Sequence, residues 1–300
     1  MKKLFFTLAV LIIFIFSAYS TRKNEKHVIF IGLDGWGAYC MEKADMPNTR
    51  ALMNSGAFTM KKRSVLPSSS AVNWASMFMG SCPELHGYTK WDSKSPEISS
   101  RVIYKNNIFP TIFQLFKDKN PDSEIGCLYE WDGIKYLVDT LSLNYFERVP
   151  DSDNNNRVTC EMAENYIKEK RPDLFAIIFD EPDHVGHVIG HNTDAYYEKV
   201  KELDKYIGKI IQATKDAGFF DKTIFIITSD HGGINKDHGN KSLEELESPF
   251  IISGNGIKKK GEFQESMMQF DVAPTIAFIF GLKQPQIWVG RPMNQVFKSK

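Results

Sequence analysis

The sequence predicts an α/β fold in which a mostly parallel central sheet carries helices on both faces. Three short, continuous apolar runs are typical of strands buried on both sides: residues 27–33, 174–179 and 223–228. Helical stretches separate these runs, and such alternation favours a parallel sheet. Acids or histidines follow each run: Asp34, Asp183 and the pair Asp230-His231. Ligands of open parallel sheets bind beyond the carboxyl ends of the strands, so we expect the functional site there.

The remaining elements follow from the spacing of apolar residues and from turn residues. Further strands are predicted at residues 58–66, 125–129 and 249–253, and helices at 47–55, 70–79, 157–170, 193–217 and 272–280. No linker divides the chain, so one domain is expected over residues 27–297. The least patterned part is residues 88–156, and a small cap region or insertion is expected within it, with a loop at 151–156.

The composition of the 300-residue chain is that of an ordinary globular protein, with 42% hydrophobic and 25% charged residues. Lys and Arg together number 37, as do Asp and Glu, so no basic excess indicates a nucleic-acid polymer as a partner. The cysteines form no C-x-x-C pair and do not indicate a zinc site. Disulfide bonds and buried free thiols both stay open for Cys40, Cys82, Cys127 and Cys160.

Residues 1–20 have the pattern of a secretory signal peptide. Lys2 and Lys3 precede an apolar stretch at residues 4–16, and small residues follow up to Ser20, where cleavage is expected. The apolar stretch is shorter than the about 20 residues that span a bilayer, although an uncleaved anchor remains the alternative. The pattern therefore predicts a secreted or periplasmic protein with no stable membrane anchor after cleavage.

Six acids and histidines near the predicted strand ends can supply oxygen and nitrogen ligands: Asp34, Asp183, His187, Asp230, His231 and His238. Mixed carboxylate and imidazole ligands suit two divalent ions, zinc above all, with manganese as a substitute. Asp183 and His187 are four residues apart and would share one face of a helical turn. Asp230 and His231 are adjacent, so both can point inward only from an irregular strand-to-loop backbone.

A series of short motifs runs along the chain: Asp34-Gly35, Pro47-Asn48-Thr49, PSSSAVN at 67–73, PELHG at 83–87, EPDHVGHVIG at 181–190, SDHG at 229–232, His238-Gly239 and DVAPT at 271–275. This ordered set resembles the type I phosphodiesterase/nucleotide pyrophosphatase family, a branch of the alkaline phosphatase superfamily. The likeness runs over residues 27–292. It implies an alkaline phosphatase-like fold for the predicted hydrolase domain at 27–297.

The resemblance also implies a role for each matching residue. The two ion sites that it implies are Asp34, Asp230, His231 and the oxygen of Ser70 for one ion, and Asp183, His187 and His238 for the other. Ser70 occupies the position of the family's nucleophile, which is usually Thr in this branch. Asn73 occupies the position of a donor to a non-bridging phosphate oxygen. Because a run of serines precedes the predicted helix, an N-capping role for Ser70 stays open, with Ser68 or Ser69 as the nucleophile instead.

The function that the resemblance implies is an exported, metal-dependent phosphoester hydrolase. The simplest form is a phosphodiesterase/nucleotide pyrophosphatase that acts on small-molecule phosphoesters through a covalent phosphoseryl intermediate. A phosphomonoesterase or phosphotransferase of the same superfamily and a non-catalytic phosphoester-binding protein are the alternatives. A sulfatase is disfavoured, because the sequence from Ser70 lacks the Pro and Arg of the C/S-x-P-x-R frame. No Arg lies near Ser70 in sequence, which favours diesters over dianionic monoesters.

Two other residues near the predicted site keep two interpretations each. Trp36 follows the first predicted ligand closely and either stacks a planar group of the substrate or packs in the core. His191 lies four residues beyond His187 and either faces the pocket or has a structural or exposed role.

Overall fold

The strands found in residues 26–299, the part of the chain that the computed structural model describes, form one eight-stranded sheet. They are β1 His27–Asp34, β2 Ala57–Arg63, β3 Ile125–Tyr129, β4 Tyr145–Arg148, β5 Leu174–Pro182, β6 Thr223–Thr228, β7 Glu247–Gly254 and β8 Gly261–Glu262. Their order across the sheet is β4-β3-β5-β1-β6-β7-β2-β8. β7 runs antiparallel to both of its neighbours, and the other neighbouring pairs are parallel.

The centre of the sheet is formed by the three continuous apolar runs of the sequence. β1 lies between β5 and β6, and Ile31 pairs with Ile177 on one side and Ile227 on the other. Alternate side chains of β1 enter two separate hydrophobic clusters, with Phe30 on one face and Ile29 and Ile31 on the other. Burial on both faces is the reason why these strands are apolar throughout rather than alternating.

Helices cover both faces of this sheet. Those of the described residues are α1 Cys40–Lys43, α2 Pro47–Ser55, α3 Ser70–Met79, α4 Pro83–His86, α5 Ile112–Lys119, α6 Asn155–Lys170, α7 Asp183–Val188, α8 Asp194–Asp216, α9 Leu243–Leu246 and α10 Val272–Ile279. Residues of α3, α5 and α10 pack into one hydrophobic cluster, and residues of α2, α6 and α8 into the other. The predicted fold class, a mostly parallel sheet between two helical layers, is thereby confirmed.

Most predicted elements lie where the sequence indicated, and their ends differ for local reasons. The strand at 125–129 and the helices at 47–55 and 70–79 have the predicted bounds. β2 ends at Arg63 rather than at residue 66, because the amide of Val65 donates to the side chain of Asn73 (2.8 Å) instead of to another strand. α6 begins at Asn155, so the predicted loop at 151–156 is shorter than expected.

The segment 88–156 contributes to the core as well as to irregular structure. It supplies α5 and the strands β3 and β4, which extend the parallel sheet beyond β5. The rest of this segment is mostly loop with short 3₁₀ turns. The cap region or insertion expected within 88–156 stays a prediction, and it concerns the irregular stretches rather than these strands.

The structure tests the expectations about the cysteines, but not the predicted signal peptide. The predicted signal peptide, residues 1–20, lies outside the described residues. Within residues 26–299, none of the helices has the length and hydropathy needed to cross a bilayer. Cys40, Cys82, Cys127 and Cys160 are all free thiols, so no disulfide supports the fold of this part of the chain.

A buried carboxylate joins the start of α2 to the middle of α8. Asp204 on α8 is 1% exposed. It accepts hydrogen bonds from the amides of Asn48 (2.9 Å) and Thr49 (2.8 Å) and from their side chains (3.0 and 2.7 Å). It thus binds amides of the first turn of α2 that have no partner within their own helix. The Asn-Thr pair that follows Pro47 is explained by this contact.

We expect Asp204→Ala to lower the free energy of unfolding by about 2–4 kcal/mol, because buried donors of Asn48 and Thr49 would lose a charged acceptor. Urea unfolding followed by circular dichroism measures this loss. The matched control is Asp216→Ala on the same helix, where the side chain is 48% exposed and a change within about 0.5 kcal/mol is expected. Equal stability of the two variants would contradict the capping role of Asp204.

Candidate active site

The candidate site lies at the carboxyl edge of the three central strands. Asp34 is the last residue of β1, Asp183 begins α7 directly after β5, and Asp230 follows β6 by two residues. All three carboxylates are buried. Parallel strands end at one edge of their sheet, so residues that are far apart in sequence meet here.

Asp34, Asp230 and His231 form what we call the first cluster. His231 Nε2 lies 3.4 Å from Asp34 Oδ1 and 3.2 Å from Asp230 Oδ2. The hydroxyl of Ser70 joins this group, 3.2 Å from His231 Nε2 and 3.5 Å from Asp34 Oδ1. The ligand atoms of the first cluster lie within 4.8 Å of one another, which is close enough to hold one metal ion.

Asp183, His187 and His238 form the second cluster. Asp183 Oδ2 lies 3.1 Å from His187 Nε2 and 3.6 Å from His238 Nε2. As expected from their spacing, Asp183 and His187 project from one face of α7. The two clusters adjoin, because the rings of His231 and His238 stack with centroids 3.8 Å apart.

The three histidines of the two clusters share one orientation. Nδ1 of each lies near a backbone carbonyl: His231 with Gly232 O (2.8 Å), His187 with Lys236 O (3.0 Å) and His238 with Ser68 O (3.0 Å). A carbonyl only accepts, so each Nδ1 carries the hydrogen and donates it. Each Nε2 therefore presents a lone pair to the cluster, which is the arrangement that metal-binding histidines require.

This donor set fits divalent cations. His187 Nε2 and His238 Nε2 lie 3.1 Å apart, and two lone pairs at that distance repel unless a cation or a proton lies between them. Asp230 Oδ2 is buried and has no hydrogen-bond partner among the described residues. Carboxylate oxygens and imidazole nitrogens are ligands that zinc accepts in four-coordinate sites. The residues are therefore suited to hold metal ions at both clusters.

Burial and the charges of neighbouring residues shift the pKa values of side chains in both clusters. Burial, together with the charges of Asp230 and Asp183, raises the pKa of Asp34 well above its usual range. Burial and the charge of Asp183 raise the pKa of Asp230 to about 7. Hydrogen bonding of the protonated ring to Asp183 raises the pKa of His187 to about 9.

Several residues that hold the candidate ligands in place were not predicted. Trp74 Nε1 donates to Asp34 Oδ2 (2.9 Å), and the amide of Gly35 donates to Asp230 Oδ1 (3.2 Å). Trp74 lies four residues after Ser70 on α3, so the helical period could have placed both residues on one face. No comparable signal existed for Gly35, because its contact joins residues 195 positions apart.

The loop that carries Asp230 is held from behind by β2 and its neighbours. Lys62 is fully buried and donates to Ser229 O (2.6 Å) and to the side chain of Gln269. Ser64 Oγ donates to Asp230 O (2.6 Å). Burial lowers the pKa of Lys62 to about 7. A lysine inside a strand is the signal that could have marked this residue, although its partners follow only from the fold.

The serine run contains one side chain that faces the clusters. Ser68 Oγ donates to Asn240 O (2.6 Å), and Ser69 Oγ is buried without a hydrogen-bond partner among the described residues. Ser70 is the first residue of α3, and its hydroxyl is the one that contacts the ligands of the first cluster.

The amide of Asn73 is engaged with the loop before α3. Its Oδ1 accepts from Val65 N (2.8 Å), and its Nδ2 donates to Pro67 O (3.1 Å) and Ser69 O (3.0 Å). Asn73 is fully buried and thus holds the segment that leads to Ser70. Its predicted contact with a phosphate oxygen stays a prediction, and it would require the amide to leave these partners.

The two residues with open interpretations are both in the interior. Trp36 is fully buried in the hydrophobic cluster under the site, so it packs and offers no face to a substrate. His191 is 4% exposed and lies beside Asp183, with 3.6 Å between His191 Nε2 and Asp183 Oδ1. An exposed role for His191 is therefore wrong.

Comparison with known proteins identifies one matching family and several similar sequences. The profile of one family, described as type I phosphodiesterase/nucleotide pyrophosphatase, matches residues 28–251. The venom phosphodiesterase CdcPDE of Crotalus durissus collilineatus is 24% identical over 222 residues, which are 70% of this chain and 26% of the relative. GPI ethanolamine phosphate transferase 3 of Schizosaccharomyces pombe is 28% identical over 177 residues, which are 56% of this chain and 19% of the relative.

A solved structure shares the fold over most of this chain. Murine ectonucleotide pyrophosphatase/phosphodiesterase 5 superposes with a TM-score of 0.74 at 14% identity, covering 91% of this chain and 100% of that one. Identity at this level supports the fold and nothing finer. In sequence, the matched part spans about a quarter or less of the two curated relatives above.

Replacing Asp230 by Asn tests whether the first cluster is built for cations. The raised pKa of Asp230 means that its contribution to stability is present below pH 3.8 and is lost as the pH rises through about 7. At pH 8 we therefore expect Asp230→Asn to raise the melting temperature of chelator-treated protein by about 2–4 °C, equivalent to about 1 kcal/mol. Differential scanning calorimetry measures both forms.

The same variant should lose most of the stabilisation that zinc gives to the wild-type protein, because a carboxylate ligand is gone. Asp221→Asn, which changes an exposed acid at the other end of β6, is the control and should behave as wild type in both conditions. A lower melting temperature for chelator-treated Asp230→Asn than for wild type would contradict the interpretation.

Proposed function

The chain belongs to the type I phosphodiesterase/nucleotide pyrophosphatase family, and we propose that it is an exported, metal-dependent phosphodiesterase that cleaves small-molecule phosphoesters through Ser70. The observation that carries this proposal is the position of the Ser70 hydroxyl. Its oxygen lies within 3.5 Å of ligand atoms from both Asp34 and His231. A hydroxyl at the edge of a cation site is the arrangement that activates a serine as a nucleophile.

The proposed cofactor is a pair of divalent ions, zinc with manganese as a substitute. Asp34, Asp230 and His231 would hold one ion together with Ser70, and Asp183, His187 and His238 would hold the other. When bound, such ions lower the pKa of a hydroxyl and stabilise the charge that develops on phosphate oxygens. The inward lone pairs of the three histidines support this assignment.

The chain's own residues supply the nucleophile and its position. The hydroxyl of Ser70 loses its proton and its oxygen forms a bond to phosphorus, while the bond from phosphorus to the leaving-group oxygen breaks and the leaving group takes up a proton as an alcohol. In the phosphoseryl intermediate that results, the oxygen of a water molecule then forms a bond to phosphorus, the serine–phosphorus ester breaks, and a proton from that water restores the hydroxyl. Asn73 holds the loop before Ser70, and Trp74 holds the carboxylate of Asp34, so the backbone that carries the hydroxyl and the carboxylate beside it are both fixed in position.

The surroundings of the clusters support a diester rather than a monoester. Among the described residues, no Lys or Arg forms an ion pair with the carboxylates of Asp34, Asp183 or Asp230. Lys62, the nearby buried cation, is engaged with Ser229 and Gln269 behind the loop. A dianionic monoester would gain from an additional cation at the site, whereas a diester carries one charge less.

Phosphotransfer is the second candidate, and the similarity to a GPI ethanolamine phosphate transferase favours it. The first half of the reaction would be the same. The phosphoseryl group would then pass to an alcohol other than water. Addition of a small alcohol to the assay separates the two reactions, because transfer from a diester gives a new phosphodiester, whereas hydrolysis gives a phosphomonoester.

The decisive prediction concerns Ser70→Ala. We expect it to lower kcat for bis(p-nitrophenyl) phosphate by about 10³-fold or more, because the nucleophile is removed. Ser69→Ala is the matched control, since that neighbouring hydroxyl is buried and has no hydrogen-bond partner among the described residues, and it should retain near-wild-type activity. Both are measured with zinc-loaded and chelator-treated protein, with p-nitrophenyl phosphate as the monoester.

The outcomes separate the candidate functions. Preference for the diester, with loss of activity in Ser70→Ala and after chelation, supports the proposal. Preference for the monoester would show that the protein is a phosphomonoesterase instead of a phosphodiesterase. Full activity of Ser70→Ala together with loss of activity in Ser69→Ala would assign the nucleophile to Ser69. If the zinc-loaded wild-type protein hydrolyses neither ester, a phosphoester-binding protein is the remaining function.

A further inference from the structure

His191 occupies a slot that two glycines leave open. A Cβ atom on Gly186 would lie 2.4 Å from His191 Nε2, and one on Gly233 would lie 2.3 Å from the same atom. The ring can enter only because neither position carries a side chain. The side chain of His191 has no solvent exposure, so its polar atoms can be satisfied only by neighbouring protein groups.

Two buried polar atoms face each other at this slot. His191 Nε2 and Asp183 Oδ1 are both inaccessible to solvent, and neither has a hydrogen-bond partner among the described residues. They lie 3.6 Å apart, which is too long for a hydrogen bond. An anionic oxygen without a donor is costly in the interior, and His191 is positioned to supply that donor.

The two oxygens of Asp183 have different surroundings. Oδ2 faces the imidazoles of His187 and His238, at 3.1 and 3.6 Å from their Nε2 atoms. Oδ1 points away from them, toward His191 and against Gly35, where an added Cβ would come within 2.3 Å of it. A donor at Oδ1 would hold the carboxylate in this orientation and reserve Oδ2 for the second cluster.

The other nitrogen of His191 has a partner that can set the tautomer. His191 Nδ1 lies 3.3 Å from the hydroxyl of Tyr39. A hydroxyl can donate to an unprotonated nitrogen, and the hydrogen of a neutral imidazole is then on the opposite nitrogen. With Tyr39 donating to Nδ1, Nε2 carries the hydrogen and points it at Asp183.

We propose that His191 is a positioning residue for the second cluster, and that its Nε2–H donates to Asp183 Oδ1. Closure from 3.6 Å to the about 3.0 Å of an N–H···O bond requires only a small shift of the ring or the carboxylate. The proposal rests on the proposed function only in that the second cluster binds a metal ion. Partners of metal ligands of this kind orient the ligand and tune its donor strength.

Two substitutions separate the roles of the two ring nitrogens. The side-chain amide of His191→Gln places NH₂ where Nε2 lies and keeps the donor to Asp183, whereas that of His191→Asn reaches only the Nδ1 position next to Tyr39. Both variants are made in an Asp34→Asn background, which removes a ligand of the first cluster so that zinc affinity reports the second. Competition with a chromophoric chelator measures the zinc dissociation constant.

We expect His191→Asn to weaken zinc binding by about 10–100-fold, as losses of such partners do, and His191→Gln to remain within a few-fold of its background. Tyr39→Phe should give a smaller loss, because the tautomer is then less strongly fixed. Melting temperatures of the chelator-treated variants establish that each is folded, and a purely structural role of His191 would lower these without separating Gln from Asn.

Three results would overturn the proposal. Unchanged affinity in His191→Asn would show that Asp183 needs no donor, and a loss in His191→Gln as large as in His191→Asn would point to packing. Absence of zinc binding by the wild-type protein would overturn the proposed function as well, which distinguishes that failure from a failure of the His191 role alone.

Discussion

The rest of the site depends on the burial of three carboxylates close together at one edge of the sheet. They belong to Asp34, Asp183 and Asp230. The central strands bring them together, and burial removes the water that would solvate their charges. Burial and repulsion raise the pKa values of Asp34 and Asp230, so these two side chains favour a bound proton or cation over a free carboxylate. The hydrophobic layers on both faces of the sheet provide the stability with which the fold tolerates this arrangement.

The imidazole rings of His187, His231 and His238 are oriented by hydrogen bonds to backbone carbonyls. Each Nδ1 is fixed by a carbonyl, so each Nε2 is turned inward before any ligand arrives. Such preorganisation avoids a rotamer change on binding. Main-chain groups are suitable for this purpose, because their positions are set by the strand ends and loops from which the ligands themselves come.

One loop connects the parts of the site. Residues 64–69 lie between β2 and α3, and the carbonyl of Ser68 orients His238 of the second cluster. Asn73 binds the same loop from the first turns of α3, directly below Ser70. Ser64 supports the carbonyl of Asp230 in the first cluster. Ser70 and both clusters are therefore held in register by one short segment.

The sheet class, the positions of the central strands and the set of candidate ligands could all be predicted from the sequence. Continuous apolar runs can be satisfied only by burial on two faces, and acids directly after such runs must meet at the edge of a parallel sheet. The motif series added the candidate nucleophile, Ser70, which a run of three serines left ambiguous. Which of the three serines faces the clusters depends on the turn that precedes α3, so it follows only from the tertiary structure.

Contacts between residues far apart in the chain could not be predicted from the sequence. Trp36 packs rather than stacking a substrate, the amide of Asn73 holds a loop, and His191 lies against Asp183. Residue type cannot distinguish these alternatives, because a tryptophan, an asparagine and a histidine each suit a core, a cap or a ligand site. Their roles are set by which backbone and side-chain atoms lie within about 3 Å of them, and only the packed fold brings those atoms together.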